Sequence, residues 1–187
     1  MFTRKKDILL ILIILLFFIL LSFPLNDWLS ATMPRHQIIQ LPAMFILGLV
    51  LGVNFSRLII KETSWKIAAL IFIMSSFIFW MLPHSIDYAV INTTFNRIMH
   101  LNMLFAGILL IPVLRNILFE IKILFLGMIS AMMLATGITL RAFNILLCSS
   151  FDIGQQKETG FYLIIIGFLL FVLTFITFFK APGEKKE

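Results

Sequence analysis

GFYLIIIGFLLFVLTFITFF, residues 160–179, runs for twenty positions without a charge. At 1.5 Å per residue such a segment covers about 30 Å, the thickness of a bilayer's hydrocarbon core. Five further apolar stretches are readable, at approximately 8–25, 38–60, 67–82, 100–119 and 123–147. The chain of 187 residues is 61% hydrophobic and only 13% charged, with a mean hydropathy of +1.07, whereas a soluble domain carries about 25% charge. Lipid is therefore the expected solvent, and in lipid each span must close its own backbone hydrogen bonds as a helix. The expected fold is an all-α integral membrane protein, a bundle of six transmembrane helices forming a single domain over residues 1–187.

Orientation follows from where lysine and arginine fall. With the N-terminus cytoplasmic, that side carries Arg4, Lys5, Lys6, Arg57, Lys61, Lys66, Arg115, Lys122, Lys180, Lys185 and Lys186, and the opposite side Arg35, Arg97, Arg141 and Lys157. The bias of 11 against 4 places both termini in the cytoplasm. The formal charge of +6 thus reads as orientation signals and phospholipid contacts, not as a nucleic-acid surface. Arg4-Lys5-Lys6 before the first apolar run imitates a signal peptide, but the run is too long for a signal h-region and reads as a retained anchor.

Within the bundle, Glu120-Ile121-Lys122 alone separates the fourth and fifth runs and predicts a tight helical hairpin between them. Gly48, Gly52, Gly107, Gly127 and Gly137 permit close helix contacts. Trp80 ends the third run, where an indole suits the membrane interface. Met128, Met132 and Met133 read as filling of the membrane interior.

All three histidines lie beside methionines: Met33-x-x-His36, Met81-x-x-His84 and Met99-His100-x-x-Met103. On the orientation above, all fall on the outer side. Imidazole with thioether is a donor set suited to copper, the thioether favouring Cu(I). Pro34 suits the first turn of a helix, which sets His36 and Gln40 on one face at i, i+4. Pro83 stops the third helix, after which His84 can pair with Asp87 or simply belong to a capped loop. A histidine at membrane depth, as at His100, is a functional residue by default. Arg141 has two open readings, snorkelling to headgroups or pairing with Asp152. The lone Cys148 excludes an internal disulfide and reads either as a soft-metal thiolate or as a buried inert thiol. No Walker loop, GxSxG, HExxH or CxxC is present, and no enzyme activity is expected.

The order of these motifs resembles the multi-span cytochrome c oxidase assembly factors of the CtaG type, over roughly residues 33–175. His36 and Gln40 stand where that family has an HMxxH-like element. Trp80, Leu82, Pro83, Asp87 and Ala89 match a WHLPxxxDxAL-like element, with Met81 replacing its histidine. His100 and Gly107 match a histidine-opened span, and Gln155, Gln156 and Gly160 a DQQxxxG-like element, with Gly154 replacing its aspartate. Cys148 stands seven residues before the glutamine pair. The resemblance implies a multi-pass protein of the bacterial inner membrane that helps deliver copper to, or assemble, a respiratory haem–copper oxidase. The expected Cu(I) ligands on the periplasmic side are His36, Met81 and His100, followed by Met33, Met103, His84 and Cys148. The expected partners are an oxidase subunit or a periplasmic copper donor, besides the lipid bilayer. Other readings of the same residues are a scaffold subunit that binds no metal, and a small transporter or a haem- or quinone-binding protein.

Overall fold

A computed structural model describes residues 4–54, 62–115 and 117–180. The described residues are helical, with no strand among them. The order is α1 (Arg4–Ser22), α2 (Asn26–Ser30), a π-helical turn (Arg35–Gln40) running into α3 (Leu41–Asn54), α4 (Thr63–Met81), α5 (Pro83–Ile91), α6 (Thr93–Arg115), α7 (Phe119–Ala142) and α8 (Ile153–Phe179). Five helices are long and apolar enough to cross a membrane: Arg35–Asn54, Thr63–Met81, Thr93–Arg115, Phe119–Ala142 and Ile153–Phe179. The first expected span is a shorter apolar helix, Asp7–Ser22. Residues 55–60 of the second expected span, and Arg57, Lys61, Lys185 and Lys186, lie outside the described residues.

Two helix pairs organise the molecule. α3 packs on α6 and α7 on α8, with α4 against α6. In the first pair Gly48 meets the backbone of Leu104, Gly107 and Ile108, while Gly52 meets Ile108. Residue numbers rise together along this contact, so α3 and α6 run parallel. The second pair is antiparallel, with Gly137 against Gly160 and Gly167 against Leu134. Small residues let backbones approach closely, which is the main source of helix–helix attraction when the solvent is as apolar as the side chains. Gly127 meets nothing within 4 Å and has no such role.

Two expectations are corrected here, and one residue gains a partner. The hairpin between the fourth and fifth runs does not form: α6 ends at Arg115, Glu120–Lys122 lies inside α7, and α7 takes α8 as its partner. Trp80, next to the last residue of α4, packs inside the protein: it is 4% exposed, and its Nε1 donates to Asn102 Oδ1 at 2.8 Å. An indole N–H inside an apolar core needs an acceptor, and Asn102 on α6 supplies it. Met128 is an exposed side chain, not interior filling. Exposed Leu, Ile and Phe side chains cover α1 and α8, as lipid-facing helices require.

Pro83 ends α4 and begins α5, occupying its first turn. The π turn has an identifiable origin. Leu41 donates its N–H to His36 O, five residues back, and the next residue is Pro42. A proline has no N–H to give the carbonyl four residues earlier, and its ring crowds that carbonyl. Widening the helix just before Pro42 relieves both problems, and such widened turns are frequent at functional sites.

Candidate functional site

His36, on the π turn, and His100, on α6, are both fully buried, and both connect to the end of α1, His36 through Gln40 to Leu21 O and His100 directly to Ser22 Oγ. Each ring is held through Nδ1. His36 Nδ1 lies 2.7 Å from Gln40 Oε1, and His100 Nδ1 lies 3.0 Å from Ser22 Oγ at the end of α1. The i, i+4 relation expected of His36 and Gln40 is present, but Gln40 orients the imidazole instead of sharing a ligand with it.

The tautomer of His36 follows from one backbone group. Gln40 Nε2 lies 3.2 Å from Leu21 O, and a backbone carbonyl only accepts. The Gln40 atom facing it is therefore the NH2, which also donates to Asn26 Oδ1 at 3.1 Å. The atom facing His36 is then the amide oxygen, so His36 Nδ1 carries the proton and Nε2 keeps a lone pair. Asn96 Nδ2 completes the network by donating to Asn26 Oδ1 at 2.7 Å.

Both Nε2 atoms, of His36 and of His100, are buried without a hydrogen-bond partner. A buried polar atom left unpaired costs about 1–3 kcal/mol, so two in one place call for an explanation. An imidazole held through Nδ1 by an oxygen, with Nε2 free, is the arrangement in which histidine ligates metals. Among the described residues no three His, Cys, Asp or Glu side chains gather around one point. The two imidazoles are thus the nitrogen donors, and the thioethers next to His100 in sequence are Met99 and Met103. Met99 and Met103, flanking His100 along α6, are fully buried in the main core with Leu41 and Met44. Imidazole nitrogen and thioether sulfur are both copper donors, so the residues present fit that ion.

The other candidate ligands are placed elsewhere. Met33, Met81 and Cys148 belong to a second buried cluster with Ile86, Leu140, Phe151 and Leu163. All three line a cavity of about 250 Å³ whose wall does not include the histidines. His84 is exposed, and of its two readings the pairing with Asp87 is not formed: Asp87 accepts from Ser149 N and Oγ at 2.7 and 2.9 Å and from Ser150 N at 2.9 Å. Burial raises the Asp87 pKa, but the hydrogen bonds from Ser150 and Ser149 outweigh it and hold the carboxyl below its usual range. Burial, with Asp87 nearby, pushes the Cys148 thiol up to about 12, so Cys148 is a protonated thiol at neutral pH.

Gln155 and Gln156 bind this end of the molecule together. Met33 N donates to Gln155 Oε1 at 3.1 Å. Gln156, 1% exposed, accepts from Leu147 N and Cys148 N and donates to Cys148 O and Phe151 O. Arg35, Arg97 and Arg141 lie over the rings of Trp28, Phe23 and Phe161, at 4.3, 4.6 and 5.3 Å. Arg141 therefore rests on an aromatic face, while Asp152 caps α8 by accepting from Gln155 N. Ser22, Asn26, Asn96 and Gln37 are the site-forming residues that the motifs did not reveal. The first three are ordinary polar residues whose partners lie far along the chain, and Gln37 is distinguished only by a buried, unpartnered Nε2.

No family model, curated protein or solved structure matches this chain.

Proposed function

We propose that this protein is a six-span bacterial inner-membrane protein with both termini cytoplasmic. In this reading it binds Cu(I) at the periplasmic ends of its helices and assists delivery of that copper to, or assembly of, a respiratory haem–copper oxidase. The carrying observation is the pair of buried imidazoles, His36 and His100, each held at Nδ1 and each with an unpartnered Nε2. These two nitrogens would hold the ion, with Met99 and Met103 as the neighbouring thioethers. Met33, Met81 and Cys148 are assigned to the adjoining cavity, and exposed His84 to its surface. The copper is cargo passed between a periplasmic donor and an oxidase subunit, so no covalent step is required of the chain. The oxidase assignment rests on the motif order that resembles the CtaG-type factors.

The test is metal analysis of the protein purified under reducing conditions, beside His36→Ala and His100→Ala. The expected result is up to one copper per chain, lost in both variants while each remains monodisperse in detergent. Copper content unchanged by either substitution would overturn the site. A scaffold role without metal would then remain as the reading of the same network.

A further inference from the structure

The second buried cluster borders the cavity of about 250 Å³ described above, which lies between the π turn, α5, α7, α8 and the 143–152 loop and opens to the surface at Leu82, Ala135 and Thr139. Its lining is largely apolar, including Met33, Met81, Leu140 and Leu163. Among its polar members are three threonines, two of which, Thr139 and Thr159, give their hydroxyls to the backbone oxygens of Ala135 and Gln155. Gln37 is 4% exposed, forms part of the wall, and its Nε2 is buried with no hydrogen-bond partner. It follows His36 on the widened turn, so the π register places one residue's ring at the imidazole node and the next residue's side chain in the cavity wall; a small rotation of that amide brings its buried Nε2 to a ligand.

We propose that this cavity is a binding site for the ring of a membrane quinone, one carbonyl of which accepts from Gln37 Nε2. The argument is one of size, polarity and charge. An apolar cavity of about 150 Å³ takes a benzene ring, so the larger volume here takes a substituted or bicyclic ring but not a drug-sized molecule. The apolar wall selects an apolar occupant, and an amide N–H without a partner selects one with an acceptor. No Lys or Arg lines the cavity, so a carboxylate such as a fatty-acid headgroup would be buried without a counter-charge. The thiol of Cys148 is protonated at neutral pH and adds no anion of its own. A neutral carbonyl on a flat apolar ring satisfies all of these conditions. The site is separate from the imidazole pair and stands whether or not copper binds there.

The test uses full-length protein in nanodiscs, dialysed to equilibrium against duroquinone or durene, with empty nanodiscs subtracted. Duroquinone has a fully methylated ring that cannot arylate Cys148, and durene is the same shape without carbonyls. Gln37→Leu is expected to weaken duroquinone about five- to tenfold, the scale of one lost hydrogen bond, and to leave durene unchanged or tighter. Ala135→Phe, at an exposed position on the cavity wall, is expected to weaken both ligands. Equal effects of Gln37→Leu on the two ligands would overturn the proposal, as would duroquinone binding that neither variant alters. Displacement of duroquinone by an equimolar neutral acyl ester, with the same dependence on Gln37, would assign the cavity to a lipid ester instead.

Discussion

Gly48→Ala is expected to loosen the α3–α6 crossing on which the imidazole pair depends. A Cβ at residue 48 would stand 2.9 Å from Gly107 Cα and 3.0 Å from Ile108 N, and nearest of all to Leu104 O. Comfortable carbon contacts begin near 3.5 Å, and backbone atoms cannot rotate away as a side chain does. The helices must therefore separate by roughly 1 Å, an overpacking cost of about 1–3 kcal/mol. Alanine returns up to about 1 kcal/mol of helix propensity, so the net effect is destabilising. Gly127→Ala is the matched control, because its Cβ meets nothing within 4 Å and only the propensity gain applies. The propensity gain cancels between the two variants, so they should differ by the overpacking cost of roughly 1–3 kcal/mol, which for a chain of this size is about 2–12 °C in Tm. Heating in detergent followed by fluorescence-detected size exclusion measures this directly. His100 lies about two turns from Gly107, so copper retention should fall in Gly48→Ala and hold in Gly127→Ala. If Gly48→Ala melts with or above Gly127→Ala, the close parallel crossing is wrong.

Cys148 should be slow to alkylate in the folded protein. With its pKa near 12, about one thiol in 10⁴ is ionised at pH 8, against roughly one in four for a free cysteine. Gln156→Ala, which releases the loop around it, should raise the maleimide rate at least tenfold; an unchanged rate would mean that the loop is held by other contacts. Because the folded state keeps this proton, the unfolded chain binds fewer protons between about pH 8.5 and 12. The Cys148 contribution to stability should therefore decline across that interval, and Cys148→Ser should flatten the alkaline limb of a Tm–pH curve. Asp87 has the opposite sign: its carboxylate form is favoured by folding, so its contribution is complete above about pH 4 and is lost as pH falls through the depressed folded value. Asp87→Ala should cost about 1–2 kcal/mol and open residues 143–152 to limited proteolysis. Asn102→Leu strands the Trp80 N–H in the core and should lower stability by about 1–3 kcal/mol, whereas Trp80→Phe with Asn102→Leu should recover part of that loss.

The long helices were legible because each is a run of about twenty residues with little charge, and that signal is local. Their partners were not. Glu120–Lys122 looked like a turn because it is charged, yet charges tolerate the first turn of α7, and the pairing of α7 with α8 is set by Gly137, Gly160 and Gly167. His36 and His100 stood out through residue type alone. Ser22, Asn26 and Asn96 did not, since a serine or asparagine near a helix end is ordinary until its partner, up to 78 residues away, is known. The burial of Trp80 was hidden for the same reason: its acceptor is on another helix. Met81 was grouped with the histidines by sequence neighbourhood, whereas the break at Pro83 leaves it on the wall of the separate cavity.

The parallel run of α3 beside α6 has a consequence for biogenesis. Two neighbouring helices that point the same way cannot be inserted as one loop; α4 must first carry the chain back across the bilayer. His36 is therefore made well before its partner, with 63 residues between it and His100. The α7–α8 hairpin arrives later still and closes the quinone-sized cavity, so a nascent chain arrested after residue 115 would own the imidazole pair and lack the pocket.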